Sequence, residues 1–253
     1  MRANLLPPPT LWRLGALLAA AAPAIWWLGR FTDIDLALAD AMFEPAAGVF
    51  PWRHAWLTEA FGHGILKWLL VLTGSGFTVA AILDLCKPDP RRSALGRLRL
   101  RIVALSAVTV PAVVSALKQF SSSHCPWDLL RYGGDQPYLR LFEALPSGAI
   151  PGQCLPAGHA SSALWLVSLA VYWLPARPAA AARMALLGLA PGLALGWLQQ
   201  LRGAHFMTHT LWSAWIACAL VLALVATLQA TPRRQSASID PPTENTHVAA
   251  ANQ

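Results

Sequence analysis

Lys118, His159, Arg202, His205 and His209 stand in three short stretches, "KQFSSSHCP" (118–126), "PAGH" (156–159) and "LRGAHFMTH" (201–209), each beside a long apolar run. Imidazoles serve as nucleophiles or as general acids and bases, and lysine and arginine bind anions. Each residue alone has a plainer reading. Lys118 can end a helix with its ammonium drawn toward water. His159 can cap one, and Arg202 can anchor an interface. Ionisable side chains gathered at one face of a membrane are costly and mark function. A metal centre is the competing chemistry. His205 and His209 have the i, i+4 spacing of helical zinc ligands, and His159, His124 or Cys125 could complete a set. Against it, no glutamate lies between the two histidines, and Lys118 and Arg202 would repel a cation.

The elements that must position these residues follow from composition. The chain has 253 residues, 56% hydrophobic and 12% charged, where soluble domains carry about a quarter charged residues. Hydropathy predicts an all-α, polytopic membrane helical bundle of about six transmembrane helices, at 11–29, 64–85, 98–117, 160–174, 184–201 and 209–230. A span needs about 20 apolar residues, and the fourth is short. The first ends in "IWWLGR" without a small-residue cleavage site and is read as a retained anchor. "DIDLALADAMFEP" predicts an amphipathic helix lying on the outer membrane surface. Residues 1–230 form one membrane domain, and 231–253 are expected to be a disordered cytoplasmic tail. Twelve Trp against three Tyr suit interfacial anchoring.

With both termini in the cytoplasm, the inner segments hold twelve of the 19 lysines and arginines but only four of the 12 acids, Asp84, Asp89, Asp240 and Glu244. This positive-inside bias accounts for the net charge of +7 and removes any need for a nucleic-acid partner. It also puts the three stretches on the outer side. Cys125 and Cys154 share that side, where an oxidising compartment would let them pair; the alternative is two free thiols.

The three stretches resemble, in order and in membrane side, the motifs of the type 2 phosphatidic acid phosphatase superfamily. Those are a Lys, six residues and Arg-Pro; Pro-Ser-Gly-His; and Ser-Arg, five residues, His, three residues and Asp. The direct resemblance covers about 98–220. Lys118, Pro126, Pro156, Gly158 and His159 match, while Cys125 replaces an arginine and Ala157 a serine. Aligned on "GAHF", His205 takes the histidine position, His209 the aspartate position and Gln199 the arginine position, with Arg202 about one helical turn nearer the histidine.

The resemblance implies a metal-independent lipid phosphatase of the bacterial inner membrane, with its site facing the periplasm and no cofactor. Its substrate would be a phospholipid, lipid A or polyprenyl phosphate or diphosphate. His205 would attack phosphorus to give a phosphohistidine, His159 would serve the leaving group and then water, and His209 would orient His205. Lys118, Arg202 and the helix-opening N–H groups at Ala157 and Gly158 would hold the phosphate. Ser161 or Ser162 would stand in for the lost serine, and Asp128 for the lost carboxylate. The alternatives are phosphate transfer between membrane lipids, a metal-binding protein, and a protein that kept the fold and lost the chemistry.

Overall fold

The computed structural model describes residues 4–230; residues 1–3, the expected tail at 231–253 and the side chain of His63 lie outside the described part. Helix α1 (Pro8–Phe31) opens with proline at its first position, where a missing N–H costs nothing. A short helix α2 (Ile34–Met42) follows. A π-helical stretch (Leu57–Ile65) runs directly into α3 (Leu66–Cys86). Helix α4 (Ala94–Lys118) is capped by Ser93, whose hydroxyl accepts from the Gly96 N–H at 3.1 Å. Then come α5 (Gly158–Leu164), α6 (Pro178–Leu201) and α7 (Met207–Ala230). Among the described residues there are isolated bridges but no strand.

Among the described residues, five helices are long and apolar enough to cross a membrane: Pro8–Phe31, Leu57–Cys86, Ala94–Lys118, Pro178–Leu201 and Met207–Ala230. The segment expected at 160–174 is different. The seven residues of α5 give way to eight residues of 3-10 helix, Trp165–Tyr172. The tighter winding lengthens it: about 1.5 Å per α-helical residue and 2 Å per 3-10 residue give roughly 26 Å, near the ~30 Å hydrocarbon core. This segment packs against α4, α6 and α7, with Ala160, Ala163, Leu164, Trp165 and Val171 buried. Its side chains meet Ile102, Val103 and Val110 of α4 and Ala217 and Val225 of α7 in the main core. The outer helices instead expose Trp12, Leu17, Trp68, Leu72 and Leu186, as a lipid-facing surface should.

The alternation of helices brings the C-termini of α1, α4 and α6 to the same end as the N-termini of α3, α5 and α7. This end carries the site. Over it lies α2, whose Ala39 packs with Phe50, Leu129, Tyr132 and Phe206. The expected membrane-surface helix therefore turns part of its apolar side to the protein's own loops. Arg131 grips Asp40 of α2 with two hydrogen bonds of 2.7 and 2.6 Å, fixing the loop to the helix.

Candidate active site

His205 owes its place to the way α6 ends. Arg202 caps the helix, and Gly203 follows with φ +70°, in the left-handed region. The Gly203 N–H donates to the Gln200 carbonyl and the Ala204 N–H to the Gln199 carbonyl, each at 2.9 Å, which is the Schellman pattern. A Cβ on Gly203 would also lie 2.4 Å from the Phe50 ring, so no other residue fits. The reversed chain delivers His205, 3% exposed, just before α7 begins. Buried Asp35 of α2 receives the opening of α7. Its carboxylate accepts from the Thr208 N–H at 3.0 Å and from the Thr208 hydroxyl. Burial pushes the Asp35 carboxyl above the ordinary carboxylate range, while the Thr208 hydrogen bonds pull the other way.

The first two stretches are sewn together before they meet the third. The N–H groups of Gly152, Gln153 and Cys154 donate to the carbonyls of Ser122, Ser121 and Ser123 at 3.2, 3.0 and 2.9 Å. A disulfide joins Cys125 to Cys154, with 5.4 Å between Cα atoms. The Ala157 N–H donates to the His209 carbonyl at 3.2 Å, and the Ser213 hydroxyl donates to the Ala157 carbonyl at 3.0 Å. These two bonds moor the mouth of α5 to α7.

Three histidines and one lysine converge there. The His159 and His205 ring centroids are 6.3 Å apart, and those of His205 and His209 are 5.8 Å apart. His209 Nε2 lies 3.1 Å from the Ser123 hydroxyl. His205 Nδ1 lies 3.4 Å from the Cys154 sulfur. A disulfide sulfur carries no proton, so only Nδ1–H can donate in this contact. That tautomer leaves the lone pair on Nε2, the nitrogen turned away from the disulfide. Burial pushes the His205 pKa well below 6.5, and the neighbouring His209, Lys118 and His159 push it further. The ring is therefore neutral at pH 7, the form a nucleophile needs.

Lys118, Gly158 and His159 line a cavity of about 420 Å³ between α3, α4 and α5, together with Lys67 and, deeper, Trp165. A Cβ added to Gly158 would meet nothing within 4 Å, so the backbone there faces open space. Another cavity, about 540 Å³, lies toward the far ends of α3 and α4 beside Phe77, Arg92 and Tyr172 and touches none of the histidines.

Several expected contributors point elsewhere. Arg202 donates from Nε to the Arg53 carbonyl at 2.9 Å, meets Gln199 Oε1 at 3.3 Å and pairs with Glu59 at 3.8 Å. The two candidates for the motif arginine position thus bind each other, and the guanidinium is engaged with the loop before α3. Asp128 has His124 and Arg53 as its neighbours and does not supply the missing carboxylate to His205. His124 turns its Nε2 to the Ile150 carbonyl at 2.8 Å. The Ser161 and Ser162 hydroxyls donate to the Gly158 and His159 carbonyls, both at 2.7 Å, so their protons are spent within α5. Ala157 offers no N–H to a ligand, since His209 takes it. Among the described residues, Cys125, Cys154 and His205 form the one set of three potential metal donors, all within 4.8 Å of one another. Two of the three are bonded to each other, which leaves no thiolate to ligate.

Sequence reasoning missed Ser123 and Asp35. The run "SSS" beside Lys118 was the available signal for the first. Nothing local marks the second, whose partner Thr208 is 173 residues away.

No curated protein and no solved structure matches the chain. A family model, that of the PAP2 superfamily, matches residues 99–233 and so takes in all three motif stretches. The match runs from the first turns of α4 past the end of α7 and covers more than half of the 253 residues. With the membrane bundle and the histidine cluster already in place, this coverage is decisive: the chain belongs to the PAP2 superfamily.

Proposed function

We propose that this membrane phosphatase hydrolyses a lipid-linked phosphate or diphosphate at the outer face of a bacterial inner membrane, without a metal, through a phosphohistidine on His205. The observation that carries the reading is the placing of the two outer histidines of the cluster. His159 lines the cavity among the helices, while His205 is buried behind it, 6.3 Å away ring to ring. In-line displacement needs a nucleophile and an acid on opposite sides of phosphorus. The two rings are neighbours, so one phosphoryl group entering beside His159 would be within reach of both.

His205 Nε2 forms the new bond to phosphorus. The bond from phosphorus to the leaving oxygen breaks, and His159 gives that oxygen its proton. Water then attacks the phosphohistidine, with His159 taking its proton and His205 recovering its lone pair. Lys118 and the Gly158 backbone hold the phosphoryl oxygens. His209, fixed by Ser123, shapes the floor beside His205. Arg202 acts at one remove, by holding the loop before α3. The one-sided distribution of lysine and arginine supports the periplasmic placing of the site, as does the disulfide.

The test is phosphate release from lipid phosphates and diphosphates by the purified protein in EDTA, with acid-quenched trapping of labelled enzyme. We expect metal-independent turnover and an acid-labile phosphoenzyme that His205→Ala lacks. Turnover abolished by EDTA, or a phosphoenzyme that survives in His205→Ala, would overturn the mechanism.

A further inference from the structure

Lys67 belongs to none of the three motif stretches, yet it lines the same cavity as Lys118 and His159. The helices dictate this. On α3, Lys67, Leu70, Gly74 and Thr78 fall on one stripe at helical spacing, and on α4 so do Val108, Pro111, Ser115 and Lys118. The two helices pack antiparallel. Lys67 is in the first turn of α3 and Lys118 in the last turn of α4, so both lysines stand at the site end of the groove. Each stripe runs for about 16 Å. Away from the lysines the groove becomes apolar: Trp165 lies along it, and the Thr78 hydroxyl is turned back to the Gly74 carbonyl at 2.9 Å. Among the described residues no carboxylate lines the cavity, so its two ammonium groups face no fixed counter-charge there.

We infer that Lys67 is a second anion-binding residue, and that the lipid this site takes carries two successive phosphates between its apolar chain and the bond that breaks. The inference rests on the phosphatase reading above. A terminal phosphoryl group held between His205 and His159 would use Lys118 and Gly158. The chain must leave along the groove. A second phosphate, next in line toward the chain, lies on the α3 side, where Lys67 stands. A single phosphate would leave Lys67 with no partner in the cavity. The chemistry agrees. His205 faces a sulfur where the family places its carboxylate influence, so nothing anionic beside it strengthens the nucleophile or offsets the cation that forms on attack. Such a site suits an activated bond. In a diphosphate the P–O–P bond breaks and the leaving group is a lipid monophosphate. That group is far less basic than an alkoxide and draws less on proton donation from His159.

The experiment pairs turnover with binding, using the full chain in detergent micelles. Farnesyl diphosphate and farnesyl monophosphate are the substrates; farnesyl methylenediphosphonate and farnesyl phosphonate are the non-hydrolysable ligands for calorimetry. We expect the unmodified protein to bind the diphosphonate at least about ten-fold more tightly than the phosphonate. Lys67→Met should collapse that preference about ten-fold, through KM far more than kcat, and Lys67→Arg should restore most of it. Lys67 is exposed, which makes the variant compatible with folding. The inference fails if the unmodified protein does not distinguish the two ligands, or if Lys67→Met weakens both equally or neither, as a lysine that merely meets the interface would. Absence of turnover on every lipid would sink the phosphatase reading, while the binding arm would still judge Lys67.

Discussion

His205 and His209 are both buried and four residues apart, but their surroundings separate their roles. His205 presents Nδ1 to the Cys154 sulfur, and His209 presents Nε2 to Ser123. Replacing His205 by alanine should leave neither turnover nor phosphoenzyme. Replacing His209 should lower kcat about 100-fold and leave measurable activity, because a positioning group is lost and the nucleophile remains. Ser123→Ala strands His209 Nε2 in a buried place, which costs about 1–3 kcal/mol, and should slow turnover about ten-fold. The same variant would show no change if the contact were incidental. The pH profile tests the electrostatics. Burial lowers the His205 pKa, and the neighbouring His209, Lys118 and His159 act in the same direction. A lowered pKa keeps the ring neutral as pH falls through 6.5, so kcat/KM should show no acid limb near pH 6.5. An acid limb near pH 6.5 in the unmodified protein would contradict the shielded, neutral nucleophile, and removing the Lys118 charge should move the acid limb upward.

At the scale of elements, the turn after α6 is the piece on which the site hangs. Gly203→Ala would force a Cβ into the Phe50 ring and strain a backbone at φ +70°. The left-handed conformation alone costs about 1–2 kcal/mol. We expect lowered thermal stability and loss of most activity, read by a melting curve in detergent beside turnover; Phe50→Ala in the same background should recover part of the stability. The turn was legible in advance as "RGAH", a glycine between an apolar helix and a histidine. The long spans were legible too, since runs of apolar residues set α1, α3, α4, α6 and α7, with the start of α6 lying six residues before the expected 184. The fourth segment was legible as apolar but not as two kinds of helix, because hydropathy has no term for winding. The direction of Arg202 was not legible either. An arginine one turn from a histidine can reach a phosphate, but here Glu59 and the Arg53 carbonyl claim it first. Asp35 was hidden for a plainer reason: its hydrogen bonds join residues 173 positions apart, and no local pattern records a contact of that range.

At the scale of the whole molecule, charge and covalent linkage bear on which face the site occupies. The loop with Tyr132 and Gln136 sits at the site end with Lys118 and Gly158. Impermeant thiol labelling of cysteines placed at the exposed positions Gly133 and Asp135 of that loop should report the periplasm in intact cells. Labelling from the cytoplasm alone would invert the molecule. Peptide mapping without reductant should recover Cys125 and Cys154 as one linked pair. Cutting the pair by Cys125→Ser should cost several kcal/mol of stability, about 2–4 by the usual behaviour of such links, and should lower activity because the first and second motif stretches lose their tie.

The fourth segment also decides how the chain is put into its membrane. With seven α-helical and eight 3-10 residues, it is short for a span. Its buried residues touch α4, α6 and α7 rather than lipid. Emerging alone from the ribosome, it is a poor stop for the insertion machinery, because wound as an ordinary α-helix it would reach only about 22 Å. Its crossing must wait for α6 and α7, so the C-terminal third is made before the membrane arrangement of the middle is settled. A chain ended after residue 177 should leave that segment largely uninserted, as glycosylation mapping in microsomes would show, and its histidine would never reach the side on which it is needed.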